Sequence, residues 1–400
     1  MKPLPSAVTD RLSEHGWLDS PWPGVVLTTL VVFAGLLVAR VAVRRGGPLK
    51  IAGGLVAMVV LAVLAGLAFV NAIAGYVPDA TAAGRIAGFN ATGAPAGPGG
   101  GTVRTYTLGA PALDIRPCPV WVYLPPGYER PGNRRRYPVV YLLHGYPGWS
   151  FDWFSAGRID QTMDVLIHSG RMPAALVVAP DMNGGHGMTD TEGLNVRHGP
   201  QVQAYLTGTV PQWVDRTFRT VARPVDRIIG GMSAGGFVAL NLGLKYQSVF
   251  GGIIAQEPYG DPGRTVLPEI GNDKAMYAAN SPTAYLATIR FLHKEPTFID
   301  VGSLAGTNGA DRLAQLLRQR HQPVYYRVEK GQRHTWTEAR IGIAYGLVWA
   351  AAQLGWGQPA VRRLPSERPR RSRSPRTWRR RPWPAARSGS RRSRRPGPSG

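Results

Sequence analysis

Three short stretches of this 400-residue chain carry residue types that could act together on a carbonyl carbon. Gly231-Met232-Ser233-Ala234-Gly235 fits G-x-S-x-G. It stands between an apolar β-branched run, Ile228-Ile229, and a helical apolar pattern over Phe237, Val238, Leu240, Leu242 and Leu244. Strand, tight turn and helix is the setting in which such a serine hydroxyl is pushed out as a nucleophile. On the pentapeptide alone, a Gly-rich turn with no chemistry is an equal reading. A nucleophile needs a base, an acid to orient the base, and N–H donors for the oxyanion.

The first donor would be Ala234, the residue after the nucleophile, and a second should come from a loop after an earlier strand. His144-Gly145-Tyr146-Pro147-Gly148 follows the apolar run 137–143 and meets that need, with Tyr146 as the donor. Tyr146 and Trp153 are expected to line the substrate pocket. Of eight histidines, His334 in Gly331-Gln332-Arg333-His334-Thr335-Trp336 lies after the last expected strand and before the last helix. That is the base's place in the order Ser, acid, His. His186, His198 and His321 have no comparable placement. The acid is expected after strand 297–301, yet residues 302–310 hold no carboxylate. Asp311 comes next and is the candidate, against the plainer reading of an acidic residue favoured at a helix N-terminus. Asp300, inside the strand, is the alternative. No metal or cofactor is implied.

Elements to position these residues are legible from 104 to 357. Apolar runs at 120–124, 137–143, 174–179, 228–230, 251–254, 297–301 and 323–328 read as strands, and 201–219 and 311–320 as helices. Strands alternating with helices predict an α/β fold with a mostly parallel sheet covered on both faces.

Ahead of this domain, after an N-terminal arm (1–23), two apolar segments at about 25–43 and 51–72 are each long enough to cross a hydrocarbon core of about 30 Å. The loop between them, Arg44-Arg45-Gly46-Gly47-Pro48-Leu49-Lys50, is basic and is expected on the cytoplasmic side, with Arg40 snorkelling toward it. Trp17, Trp22 and Tyr76 stand where interfacial aromatics are expected. Ala72-Ile73-Ala74 resembles a signal-cleavage site, but two spans favour an anchor. Residues 77–103, rich in Ala, Gly and Pro, read as a flexible spacer; they include the sequon Asn90-Ala91-Thr92. Residues 358–400 read as a disordered tail. Fifteen arginines and one acid between 361 and 400 supply +14 of the chain's net +23, so the charge does not mark a nucleic-acid-binding fold. The single cysteine, Cys118, excludes an intramolecular disulfide.

The stretches VWVYLPPGY (120–128), YPVVYLLHGYPG (137–148), WVDRTFRT (213–220), IIGGMSAGG (228–236) and GQRHTW (331–336) resemble the putative-esterase family of α/β-hydrolases, over some 250 residues. That family includes esterase D-like enzymes and antigen 85-type mycolyltransferases. The resemblance implies an α/β-hydrolase fold and an acyl-enzyme mechanism with Ser233 and His334 in the family roles. The acid loop departs from the family pattern, and His144-Gly145 is more esterase-like than mycolyltransferase-like. The expected whole is a membrane-anchored, extracytoplasmic serine esterase acting on a small-molecule or lipid ester. Acyl transfer to an envelope sugar or lipid is the first alternative, and a non-catalytic binding domain the second.

Overall fold

The apolar runs assemble, in a computed structural model, into one sheet. Its strands are β1 (Thr102–Ala110), β2 (Ile115–Leu124), β3 (Val139–Leu143), β4 (Leu176–Ala179), β5 (Arg227–Met232), β6 (Gly252–Gln256), β7 (Thr297–Gly302) and β8 (Val324–Glu329). They lie in the order β1-β2-β4-β3-β5-β6-β7-β8. β4, β3 and β5 to β8 run parallel, and β1 and β2 are antiparallel at one edge. The structure describes residues 4–13, 16–44, 46–87, 99–187, 189–307 and 309–357. Arg45, the sequon at 90–92 and the arginine-rich tail from 358 lie outside the described residues.

Strand periodicity assigns the two faces of the sheet. In β3, Val139, Tyr141 and Leu143 face one apolar layer with Phe237 and Leu240 of the helix Ala234–Lys245. Val140 and Leu142 face the other, with Ile343 and Leu347 of the helix Trp336–Gln353. Every residue of β3 to β7 is buried, as a parallel sheet covered on both sides requires. β1 has no apolar run to betray it. Its residues are mostly half-exposed, and it is held by its pairing to β2, from Thr102↔Leu124 to Ala110↔Ile115.

Among the described residues four helices precede the sheet: α1 (Ser6–Ser13), α2 (Trp22–Val43), α3 (Pro48–Ala74) and α4 (Ala80–Ile86). With 22 and 27 residues, α2 and α3 are long and apolar enough to cross a membrane. Their apolar side chains face outward along most of their length, including Val32, Phe33, Leu36, Val59, Val63 and Leu67. The pair packs through small residues: a Cβ on Gly54 would stand 2.4 Å from Val38, and one on Gly24 2.8 Å from the Phe69 ring.

The expected spacer is corrected over its described parts. Asp79 caps α4 through Ala82 N–H at 2.9 Å and pairs with Arg158 at 2.5 Å. Arg85, buried on α4, meets Asp160 at 2.6 Å and the carbonyl of Phe154. At the far end Gly101 N–H donates to Asp164 at 2.8 Å. Composition missed this because the attachment rests on a few charged contacts, not on apolar content. The arm is fixed too. Leu4, Val8 and Leu12 bury against the C-terminal helix, and Asp19 forms a buried pair with Arg340 at 2.8 Å. Arg340 also donates to the Gly75 carbonyl at 2.7 Å. These contacts join the arm and the end of α3 to the last helix of the domain.

Candidate active site

Ser233, the His144–Gly148 loop and His334 follow the C-terminal ends of β5, β3 and β8, where α/β sheets place their ligands. Ser233 follows β5 with φ +60° and ψ −123°, the strained turn foreseen for it. The surrounding glycines are sterically required. A Cβ on Gly231 would lie 2.2 Å from the Gly235 carbonyl oxygen, and one on Gly235 2.2 Å from that of Leu143. Ser233 N–H is engaged with the Gln256 carbonyl at 3.0 Å, which pins the turn to β6. Ala234 begins the next helix, so its N–H belongs to the first turn, where no intrahelical acceptor exists.

A cavity of about 710 Å³ opens here, and Ser233, His334, Gly145 and Tyr146 all line it. Trp153 does not. It is fully buried beneath the site, donating from Nε1 to the Leu143 carbonyl at 2.8 Å and meeting Trp336 edge-on at 5.2 Å. Trp336 is the tryptophan on the cavity wall. The expectation for Trp153 is thus corrected: its length carries the ring into the core between the oxyanion loop and the last helix.

The carboxylate beside His334 is Glu257. Its Oε2 lies 3.7 Å from His334 Nδ1. Glu257 comes directly after β6, at φ +49°, and is completely buried. Its N–H donates to the Asp300 carbonyl at 2.7 Å, and its Oε1 accepts from Gly302 N–H at 2.6 Å. Oε2 has no hydrogen-bond partner among the described residues. A buried carboxylate oxygen left open toward an imidazole is poised to accept its N–H. Asp311 instead lies exposed in the first turn of the helix Ala310–Gln319, where its charge acts on Tyr326. The helix-terminus reading describes it, and the structure places Glu257, not Asp311, beside His334.

Asp300 faces the helix layer, as its position inside β7 suggested. Arg327 Nη1 donates to both its oxygens, at 3.0 and 2.9 Å, and a Cβ on Gly342 of the last helix would strike it at 1.9 Å. Glu338 is buried beside it. Burial, reinforced by the Asp300 charge, pushes the Glu338 carboxyl well above its usual range. Sequence reasoning missed Glu257 by searching for the acid only after β7. The available signal was a carboxylate at the end of an apolar run, Gly252-Ile253-Ile254-Ala255-Gln256-Glu257, on the strand next to the nucleophile's.

The loop after β3, His144–Gly148, is braced from below. His144 is fully buried, with Nδ1 2.8 Å from the Gly145 carbonyl and Nε2 accepting from Met182 N–H at 3.1 Å. Asp152 accepts from Trp149 N–H at 2.9 Å and from the Tyr76 hydroxyl at 2.7 Å, which links the loop to the end of the apolar hairpin. Burial, reinforced by the Asp152 charge, pushes the Tyr76 hydroxyl far above its ordinary pKa, so it remains a donor.

A family model described as "Putative esterase" matches residues 115–351. An uncharacterized protein of Corynebacterium glutamicum is 29% identical over 192 residues, which cover 46% of this chain and 42% of that protein. A protein named as an esterase in Mycobacterium tuberculosis is 32% identical over 137 residues, 32% of this chain and 26% of that one. The chain therefore spans less than half the length of these curated relatives. A solved ferulic acid esterase superposes with a TM-score of 0.56 at 22% identity, covering 64% of this chain and 100% of that one. An S-formylglutathione hydrolase from Agrobacterium tumefaciens gives 0.54 at 20%, covering 65% and 98%. At such identities the superpositions establish the α/β-hydrolase fold, and the family model, matching more than half of the chain, establishes more: the chain belongs to the putative-esterase family.

Proposed function

We propose that this chain is a membrane-anchored serine esterase whose catalytic domain lies outside the cytoplasm. In this reading Ser233 Oγ attacks the ester carbonyl while His334 takes its proton. The negative charge that develops on the carbonyl oxygen is met by the N–H groups of Ala234 and Tyr146. Collapse of the tetrahedral intermediate breaks the bond to the alcohol, which leaves with the proton held by His334, and water then cleaves the acyl-enzyme by the same route. Glu257, in place of Asp311, holds the imidazole in the required tautomer and stabilises the imidazolium.

The observation that carries this reading is the open, buried Glu257 oxygen 3.7 Å from His334 Nδ1, with His334 and Ser233 on one cavity. Among the described residues no hydrogen bond joins Ser233 to His334; contacts of this kind tighten when substrate binds. The anchor is supported by the length and outward apolar faces of α2 and α3. The basic residues of the connecting loop favour the cytoplasm for that loop, which puts the catalytic domain on the opposite side.

The test is labelling by a fluorophosphonate, which captures an activated serine. The wild-type chain should be labelled and should hydrolyse a short-chain aryl ester, and Ser233→Ala should lose both. Retention of full hydrolysis in that variant would overturn the assignment.

A further inference from the structure

We infer that the ester consumed here is a membrane lipid, whose acyl chain passes from the bilayer into the cavity along α3. This deepens the serine-esterase and anchor reading above and rests on it. The cavity that holds Ser233 and His334 is walled on one side by Val70, Ile73 and Ala74, the last turns of α3. An anchor that served only as a tether would have no reason to form a wall of the active site.

That wall continues a stripe. Val56, Val60, Val63, Leu67, Val70 and Ile73 recur at three- and four-residue steps, so they share one face of α3, and all six are exposed. Val70 and Ile73, at the cavity, are 62% and 66% exposed. In a bilayer such a stripe lies against acyl chains, and here it runs without a polar break into the cavity. Leu304 and Ala305 line the cavity as well, and among the described lining residues none is acidic.

The depth also fits. Trp17 and Trp22, 68% and 65% exposed, mark the level where aromatic side chains meet headgroups. Asn71 donates to the Leu18 carbonyl at 2.9 Å, and Gly24 stands against Phe69, so the end of α3 lies at that level. Lipid ester carbonyls lie at the same boundary, between chains and headgroups. The wall is fixed there by Arg340 on the Gly75 carbonyl and by Tyr76 on Asp152. Drawing a long acyl chain through water is strongly disfavoured, methylene by methylene, and a cavity opening onto the helix's lipid face avoids that step.

The experiment uses the full-length protein in phosphatidylcholine vesicles, with 4-methylumbelliferyl acetate, octanoate and oleate as probes. The wild type should show kcat/KM rising with chain length. In Val70→Asn/Ile73→Asn the oleate-to-acetate ratio should fall about tenfold or more, the effect of losing contact with roughly two methylenes. Labelling of Ser233 by a short-alkyl fluorophosphonate reports that the variant is folded. A flat or falling chain-length series in the wild type overturns the inference without requiring any variant, as does an unchanged ratio in a labelled variant; the esterase reading survives both. If the wild type hydrolyses none of the esters and is not labelled, the underlying reading fails instead.

Discussion

Two histidine–carboxylate pairs stand beyond the C-terminal ends of the sheet's strands, one after β3 and β4 and the other after β8 and β6, and they differ in what surrounds the ring. His144 lies 3.4 Å from Asp181, is wholly buried, and has both ring nitrogens engaged by backbone groups. Burial works against its protonation, and Asp181 and Asp152 outweigh that to raise its pKa. The enclosed ring has no free nitrogen and no route to a substrate. His334 lies 3.7 Å from Glu257, keeps 39% of its side chain exposed, and lines the cavity with Ser233. Its Nε2 carries no hydrogen bond among the described residues. A carboxylate neighbour by itself does not leave a histidine able to meet a substrate. Access for the second nitrogen does, and the same pairing, once enclosed, becomes a brace for the loop that carries Tyr146.

The contrast is broken most directly at His334. His334→Ala should lower kcat by roughly three to six orders of magnitude with little change in melting temperature, measured by ester hydrolysis and thermal unfolding. A loss below tenfold would remove His334 from the mechanism. Glu257→Gln keeps an acceptor for Gly302 N–H but not the charge, and should lower kcat by about 10²–10⁴. Asp311→Asn, on its exposed helix turn, should turn over as the wild type does; the reverse ranking would return the acid to Asp311. His144→Phe should act on stability first. It leaves Met182 N–H without its acceptor in a closed space, at a cost of about 2–4 kcal/mol by denaturant unfolding, while folded molecules still label at Ser233.

The smallest effect sharpens the carboxylate side of the comparison. Glu338 has its folded-state pKa raised by burial and by Asp300. Below the unfolded pKa of about 4.3 both states are protonated and nothing is lost. As pH rises above that value the unfolded chain releases a proton that the folded chain keeps, so the folded state loses stability up to the folded pKa. Glu338→Gln, which removes the titrating carboxyl, should be more stable than wild type at pH 8 and equal to it near pH 4. Melting curves at the two pH values check this, and a gain independent of pH would contradict it.

Much of the site was legible because its requirements are local. The turn at Ser233 needs glycines at fixed offsets, so the motif announces it. His334 and the His144-Gly145 loop follow strands that the apolar runs already mark. Glu257 was not legible in the same way, because its neighbour in space is 77 positions away and nothing local says which strand end faces His334. β1 was hidden for a related reason: its residues become a strand only through the partner edge of β2. The spacer was misread because charge pairs such as Arg85–Asp160 join segments whose meeting no composition predicts.

The α/β alternation, the two apolar helices, the turn at Ser233 and the loop around His334 are legible in the residues alone. Each follows from backbone sterics or from hydrophobic periodicity over a few residues. Tertiary structure alone decided which carboxylate reaches His334, which histidine is enclosed, and that α3 closes the cavity. Those facts depend on distances between segments far apart in the chain, and only packing sets them.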